Sequence, residues 1–145
     1  MSGIIFIGSN PSQASQSTCA FDLDTKSWAT LCSWIDAASI YVASFDNVSN
    51  IKTPGNRPLN AREIHEGMRN LMKTLAYHKP QHIVAVGKTA HKALTKYEVP
   101  HLEIPHPSGL NRKLNDPKYV ESQIDKLRSY YNGPGLWEVG VVIPW

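Results

Sequence analysis

Two prolines bracket His106, and Ser108 and Gly109 follow it, so that Pro105-His106-Pro107-Ser108-Gly109 is a stiff loop carrying one imidazole. Rigid loops of this kind hold a side chain where chemistry needs it, and an imidazole can donate or accept a hydrogen bond near neutral pH. A second loop, Gly8-Ser9-Asn10-Pro11-Ser12, offers an amide and two hydroxyls directly after an apolar run. Gly87-Lys88-Thr89 resembles the end of a phosphate loop, but the full motif needs a glycine five residues earlier, where His82 stands. What remains is a lysine and backbone N–H groups at a helix start, suited to one phosphate or equally to an ordinary cap. The other histidines (His65, His78, His82, His91 and His101) show no metal-ligand spacing with carboxylates or with one another, so solvated or structural roles are expected. Cys19 and Cys32 are too few for a four-cysteine metal or iron–sulfur site and read as two reduced thiols, with a disulfide between them as the alternative. No Gly-x-Ser-x-Gly elbow is present, which makes a nucleophilic hydrolase a weak reading.

The elements that must position these groups alternate along the chain. Residues 3–7 form a short apolar strand that stops at the Gly8 turn cluster, and residues 13–18 are small and polar, a loop. Residues 27–37 carry Trp28, Leu31, Trp34 and Ile35 at helical spacing, and residues 39–45 (Ile40, Tyr41, Val42, Phe45) read as a strand. A loop over 46–58 leads to Asn60, an N-cap with Glu63 three residues on and Ile64, Met68, Leu71 and Leu75 along one face. Residues 82–86 read as a buried strand, 89–97 as a helix and 102–104 as a short strand. Asp116-Pro117 opens a last helix with Val120, Ile124, Leu127 and Tyr131 inward. The apolar tail over 137–145 reads as an extra edge strand or a cover over the core, with a partner-binding strand as the alternative.

Strand–helix alternation predicts an α/β fold, a mostly parallel sheet covered on both faces, with its ligand crevice beyond the carboxyl ends of the strands. The loops at Gly8, Asn47, Gly87 and His106 all fall at that edge. With 145 residues, 41% of them hydrophobic and 19% charged, one domain over 1–145 can bury a core, and wholesale disorder is excluded. No apolar stretch approaches the ~20 residues of a membrane helix, and the N-terminus lacks the basic and hydrophobic regions of a signal peptide. A cytoplasmic, monomeric protein without membrane association is expected. A net charge of +3 suits a polyanionic partner without proving one.

Together the loops resemble the uracil-DNA glycosylase superfamily. Gly8-Ser9-Asn10-Pro11-Ser12 is similar to its first motif, and His106-Pro107-Ser108-Gly109-Leu110-Asn111-Arg112 to its second. The second motif here joins the histidine of one branch to the Gly-Leu-x-Arg of the mismatch-specific branch. Asp46-Asn47-Val48 through Thr53-Pro54-Gly55-Asn56-Arg57-Pro58 resembles a stretch of the thermophilic iron–sulfur branch, whose four cluster cysteines are absent here. Ile83-Val84-Ala85-Val86-Gly87-Lys88-Thr89-Ala90 matches a strand-to-helix junction of the superfamily, and the likeness runs in order over about residues 3–131.

The resemblance implies a three-layer α/β/α domain with a central, mostly parallel sheet of four to five strands. It implies DNA, duplex or single-stranded, as the partner, carrying a damaged or modified pyrimidine, with no metal or organic cofactor. His106 would stabilise the departing base by donating a hydrogen bond, and Asn10 would position water. Phe21 would stack on the flipped base, Asn47 would read its edge, and Ser12 would sit at the C5 position that a tyrosine fills in the uracil-specific branch. Leu110 would wedge into the duplex, while Ser108, Gly109, Arg112, Lys88 and Lys52 would hold DNA, with Lys113 and Arg57 on the same edge. The reaction expected is excision of uracil or a related, C5-substituted pyrimidine by N-glycosidic hydrolysis. The alternatives are a non-catalytic nucleic-acid-binding protein of the same fold and a generic nucleotide-binding α/β domain.

Overall fold

The computed structural model describes residues 3–11, 25–41, 43–108 and 111–137. Four strands, β1 (Ile4–Gly8), β2 (Ala43–Asn47), β3 (His82–Val86) and β4 (Leu102–Ile104), pair in parallel in the order β2-β1-β3-β4. Between them run α1 (Lys26–Ala37), α2 (Ala61–His78) and α3 (Lys88–Lys96), and α4 (Pro117–Asn132) follows β4. Single 3-10 turns lie at Pro54–Asn56 and Arg112–Asn115.

The central strands are apolar on both faces because both faces are covered. Ile5, Ile7, Ile83 and Ala85 pack against Met68, Leu71 and Leu75 of α2 and Ala90 and Leu94 of α3. Ile4, Phe6, Val84 and Val86 point the other way, onto Leu31 and Trp34 of α1 and Leu127 of α4. This is the three-layer α/β/α arrangement expected, with four strands among the described residues. Full burial of side chains such as Ile7, Leu75 and Leu127 stabilises the fold by ~1.5–3 kcal/mol each. Val120, Ile124 and Tyr131 are only partly buried against that second layer. Tyr130 adds a polar lock, its hydroxyl accepting the Ile83 N–H at 2.9 Å.

The helix ends explain the boundaries. On α2, Asn60 Oδ1 accepts the Glu63 N–H at 2.8 Å, and Glu63 Oε1 accepts the Asn60 N–H at 2.9 Å, the reciprocal box that the sequence predicts. Arg57 grips the same carboxylate through both guanidinium nitrogens, at 2.9 and 3.1 Å. With those donors, led by Arg57, the Glu63 carboxyl is held down to about 2. The strand expected over 39–45 is displaced to Ala43–Asn47. Ile40 and Ser39 are instead the C-terminal signature of α1. Ser39 takes φ +59°, its N–H donates to the Asp36 carbonyl at 3.0 Å, and the Ile40 N–H donates to the Ile35 carbonyl at 3.1 Å. That pair of bonds is a Schellman motif, and the apolar Ile40 is its buried cap residue rather than a strand residue.

One contact ties this framework to the functional edge. Gly67 on α2 passes so close to the loop after β2 that a Cβ there would overlap the Val48 carbonyl oxygen and lie 3.2 Å from Ser49 Cα. Alanine favours a helix interior over glycine by ~1 kcal/mol, whereas overpacking against backbone costs ~1–3 kcal/mol or more. The clash wins, because backbone atoms cannot rotate away. Gly67→Ala is therefore expected to destabilise the protein by ~1–2 kcal/mol in urea unfolding, despite the better helix former; a stabilised variant would show that α2 can shift without cost.

Candidate functional site

The strand order reverses direction between β1 and β3, and in open α/β sheets ligands bind at that switch, beyond the carboxyl ends of the strands. Asn10 and Asn47 stand on the β1–β2 side of it, and Gly87, Lys88 and His106 on the β3–β4 side.

On the first side the loops after β1 and β2 are stitched together past the end of the sheet. The Val48 N–H donates to the Gly8 carbonyl at 2.9 Å and the Ser49 N–H to the Ser9 carbonyl at 3.0 Å. Asn10 Nδ2 donates to the Ile51 carbonyl at 2.8 Å, and Asn10 Oδ1 accepts from Ser9 Oγ at 2.8 Å. The carbonyl partner fixes which way the amide points, and one lone pair of Oδ1 stays available to accept from water. Asn47 is buried, its own N–H donating to Asp46 Oδ1 at 2.8 Å. It lines a polar cavity of about 250 Å³ between the β2 loop and α2, with Asn70 and Thr74 on the helix side.

On the second side Gly87 takes φ +91°, a conformation that favours glycine, and a Cβ on it would come within 3.3 Å of His106 Cβ. The His106 loop thus lies directly on the end of β3, and the Gly87 N–H donates to the Ile104 carbonyl at 2.9 Å. His106 is exposed by surface area, yet it sits in a cavity wall whose atoms crowd the ring and withhold water from its charged form. That desolvation lowers its pKa below the ordinary 6.5. The cavity measures about 570 Å³, with Lys88, Ser108, Asn111 and Lys113 around its mouth. Arg112 is exposed beside these, and Lys52 is half-buried on the β2 loop.

The described residues therefore gather His106, Ser108 and Lys88 in one cavity, and place Asn47 in another, with Asn10 bonded to the loop that walls the second. Ser12, Phe21, Gly109 and Leu110 lie outside the described residues, as does the tail over 138–145. Trp137, the first tail residue, is described, and its indole N–H donates to the Lys79 and Pro80 carbonyls, both at 3.1 Å. Arg57, expected on the DNA edge, is engaged with Glu63.

Sequence spacing missed two groupings. Tyr119, Gln123 and Lys126 of α4 line the larger cavity, a polar stripe one position before the apolar one that was legible. His91 and His101, for which solvated or structural roles are expected, are hydrogen-bonded to each other, Nδ1 to Nε2, at 2.8 Å. His101 Nδ1 donates to the Val99 carbonyl at 2.7 Å, and Glu103 Oε1 lies 3.7 Å from His91 Nε2. Burial foremost, and the facing His91, lower the His101 pKa, so its Nε2 accepts the proton of His91 Nδ1. Helix α3 and strand β4 bring this pair together, and ten residues of sequence separation give no periodic signal for it. No group of three His, Cys, Asp or Glu among the described residues is placed to hold a metal ion, and no described helix is long and apolar enough to cross a membrane.

The family model described as the Uracil DNA glycosylase superfamily matches residues 1–128. No curated protein sequence matches the chain.

Proposed function

The chain belongs to the uracil DNA glycosylase superfamily, and we propose that it is a monofunctional glycosylase that excises uracil, or a uracil substituted at C5, from DNA. The observation that carries this is the seat of His106: a largely neutral imidazole, braced on Gly87, at the carboxyl edge of β3 beside the switch point.

In this reaction the target nucleotide leaves the base stack, at a cost of a few kcal/mol in unstacking. As the bond between the sugar and the base nitrogen breaks, its electron pair goes to the base, whose carbonyl oxygens become negative. A neutral His106 N–H donates to one of them without bringing a full charge of its own, and this is oxyanion-type stabilisation. The sugar carbon, left positive, is attacked by water that Asn10 Oδ1 holds; an amide cannot take a proton usefully at neutral pH, so the proton passes to solvent or to the released base. Asn47 reads the base edge, Phe21 stacks on its face, and Leu110 fills the vacated position in the duplex. Lys88, Ser108, Gly109, Arg112 and Lys52 hold phosphates, which makes affinity salt-dependent.

Ser12 is much smaller than the tyrosine that excludes thymine in the uracil-specific branch, so on this reading residue 12 does not reject a substituent at C5. Abasic-site formation is to be compared on strands carrying uracil, 5-hydroxymethyluracil or thymine opposite guanine. Wild type is expected to cleave uracil and 5-hydroxymethyluracil, and Ser12→Tyr to reject the substituted base ~10–200-fold more strongly. Cleavage of uracil alone, unchanged by the tyrosine, would remove Ser12 from specificity. DNA binding without abasic sites on any of these would establish the non-catalytic reading instead.

A further inference from the structure

The cavity between β4 and α4 carries more groups than the removal of one base requires. Tyr119, Gln123 and Lys126 enter it from α4 at successive spacings of four and three residues, a single stripe of that helix. Lys88 enters from the start of α3, and Asn111 and Lys113 from the opposite turn. Lys113 Nζ stands 5.9 Å from the centre of the Tyr119 ring, so an aromatic face and a cation lie side by side. Against three ammonium groups the described walls set one carboxylate, Glu103. At about 570 Å³ the space falls within the ~300–1,000 Å³ of pockets that take organic ligands.

An aromatic ring, side-chain amides with both donors and acceptors, and clustered ammonium groups are the chemistry of nucleotide recognition. The ring stacks a base, the amides meet its edge, and the cations neutralise a phosphate. His106 is shared, lying in this cavity's wall and, in the function proposed above, on the departing base. An occupant here is therefore next in line along the strand. We propose that the β4–α4 cavity is a second nucleotide subsite, which takes a neighbour of the excised nucleotide in the same DNA strand, its base against Tyr119 and its phosphate among Lys88, Lys113 and Lys126.

The proposal rests on the glycosylase reading only for DNA as the ligand, and its test needs no excision. Binding is measured by fluorescence anisotropy on single strands that carry a tetrahydrofuran abasic analogue, with single phosphates replaced in turn by neutral methylphosphonates. Tyr119→Ala is expected to weaken binding ~10-fold and Tyr119→Phe to stay within about twofold, because the ring does the stacking. Lys126→Gln is expected to lower the slope of log K against log salt by ~0.7, the increment of one phosphate contact on a single strand. In wild type, neutralising one phosphate beyond the two that bracket the analogue is expected to cost several-fold, and in Lys126→Gln the same change costs nothing further. Lys126 is exposed, so this arm stands even where Tyr119→Ala disturbs the start of α4. Identical phosphate profiles for wild type and Lys126→Gln would overturn the subsite. Thymidine 5′-monophosphate bound as tightly as the strand, and lost in the same variants, would overturn the strand neighbour in favour of a free nucleotide. A protein that binds these strands as described but releases no uracil would sink the proposed activity and leave the subsite standing.

Discussion

His106→Ala is expected to lower the single-turnover rate of uracil excision by ~10²- to 10³-fold while leaving affinity for abasic-analogue DNA near that of wild type. The loss is placed in the rate and not in binding because the donor is needed only once negative charge builds on the departing base. The pH profile gives a second measurement on the same residue. Desolvation lowers the His106 pKa below its ordinary 6.5, so the neutral ring predominates at neutral pH and above and protonation is shifted further into acid. An excision step that uses the neutral N–H is then level from pH 8 to neutral and falls only on the acid side. A rate that rises as the pH drops through this range would mean that an imidazolium is the donor, and activity of the alanine variant within a few-fold of wild type would remove His106 from the chemistry. The sign for stability is the same. A histidine with a depressed folded-state pKa contributes stability that is complete above the unfolded value of 6.5 and is lost as pH falls through the folded one, and His101 and His106 act together in this sense.

The sheet was legible because its strands are covered on both faces, so that Ile4–Gly8 and His82–Val86 read as continuous apolar runs with turn residues behind them. The box on α2 was legible because Asn60 and Glu63 act over three residues, within reach of a local rule. Ile40 was misread because a buried cap residue and a strand residue are equally apolar; only Ser39 in the left-handed region separates them. The edge that carries the candidate site followed from strand–helix alternation. How its groups are shared out did not. That His106 faces Tyr119, Gln123 and Lys126, whereas Asn47 faces α2, depends on which layer each helix joins. The contact of Gly87 with His106 is similar, since only the crossing of two loops reveals why the residue after β3 has no side chain.

Asn47→Ala is expected to reduce uracil excision by ~10²-fold, as the amide that donates to one atom of the base edge and accepts from its neighbour disappears and both are left unpaired. A merely structural asparagine would also matter here, because the residue is buried at the end of β2, and the two roles differ in what else they change. The backbone around it is held without its side chain. Gly8 and Ser9 carbonyls accept the N–H groups of Val48 and Ser49, β2 pairs with β1 as far as Asn47 itself, and Gly67 of α2 closes on the Val48 carbonyl from outside. Removing the amide therefore leaves the loop in place, and affinity for a strand with a tetrahydrofuran in place of the nucleotide, which has no base to read, is expected to stay within about threefold of wild type. Excision and abasic-analogue binding that fall together, with a lowered melting temperature, would make Asn47 a support for the loop. Excision that falls alone locates the base edge at β2, across the β1/β3 switch from the histidine that stabilises its charge.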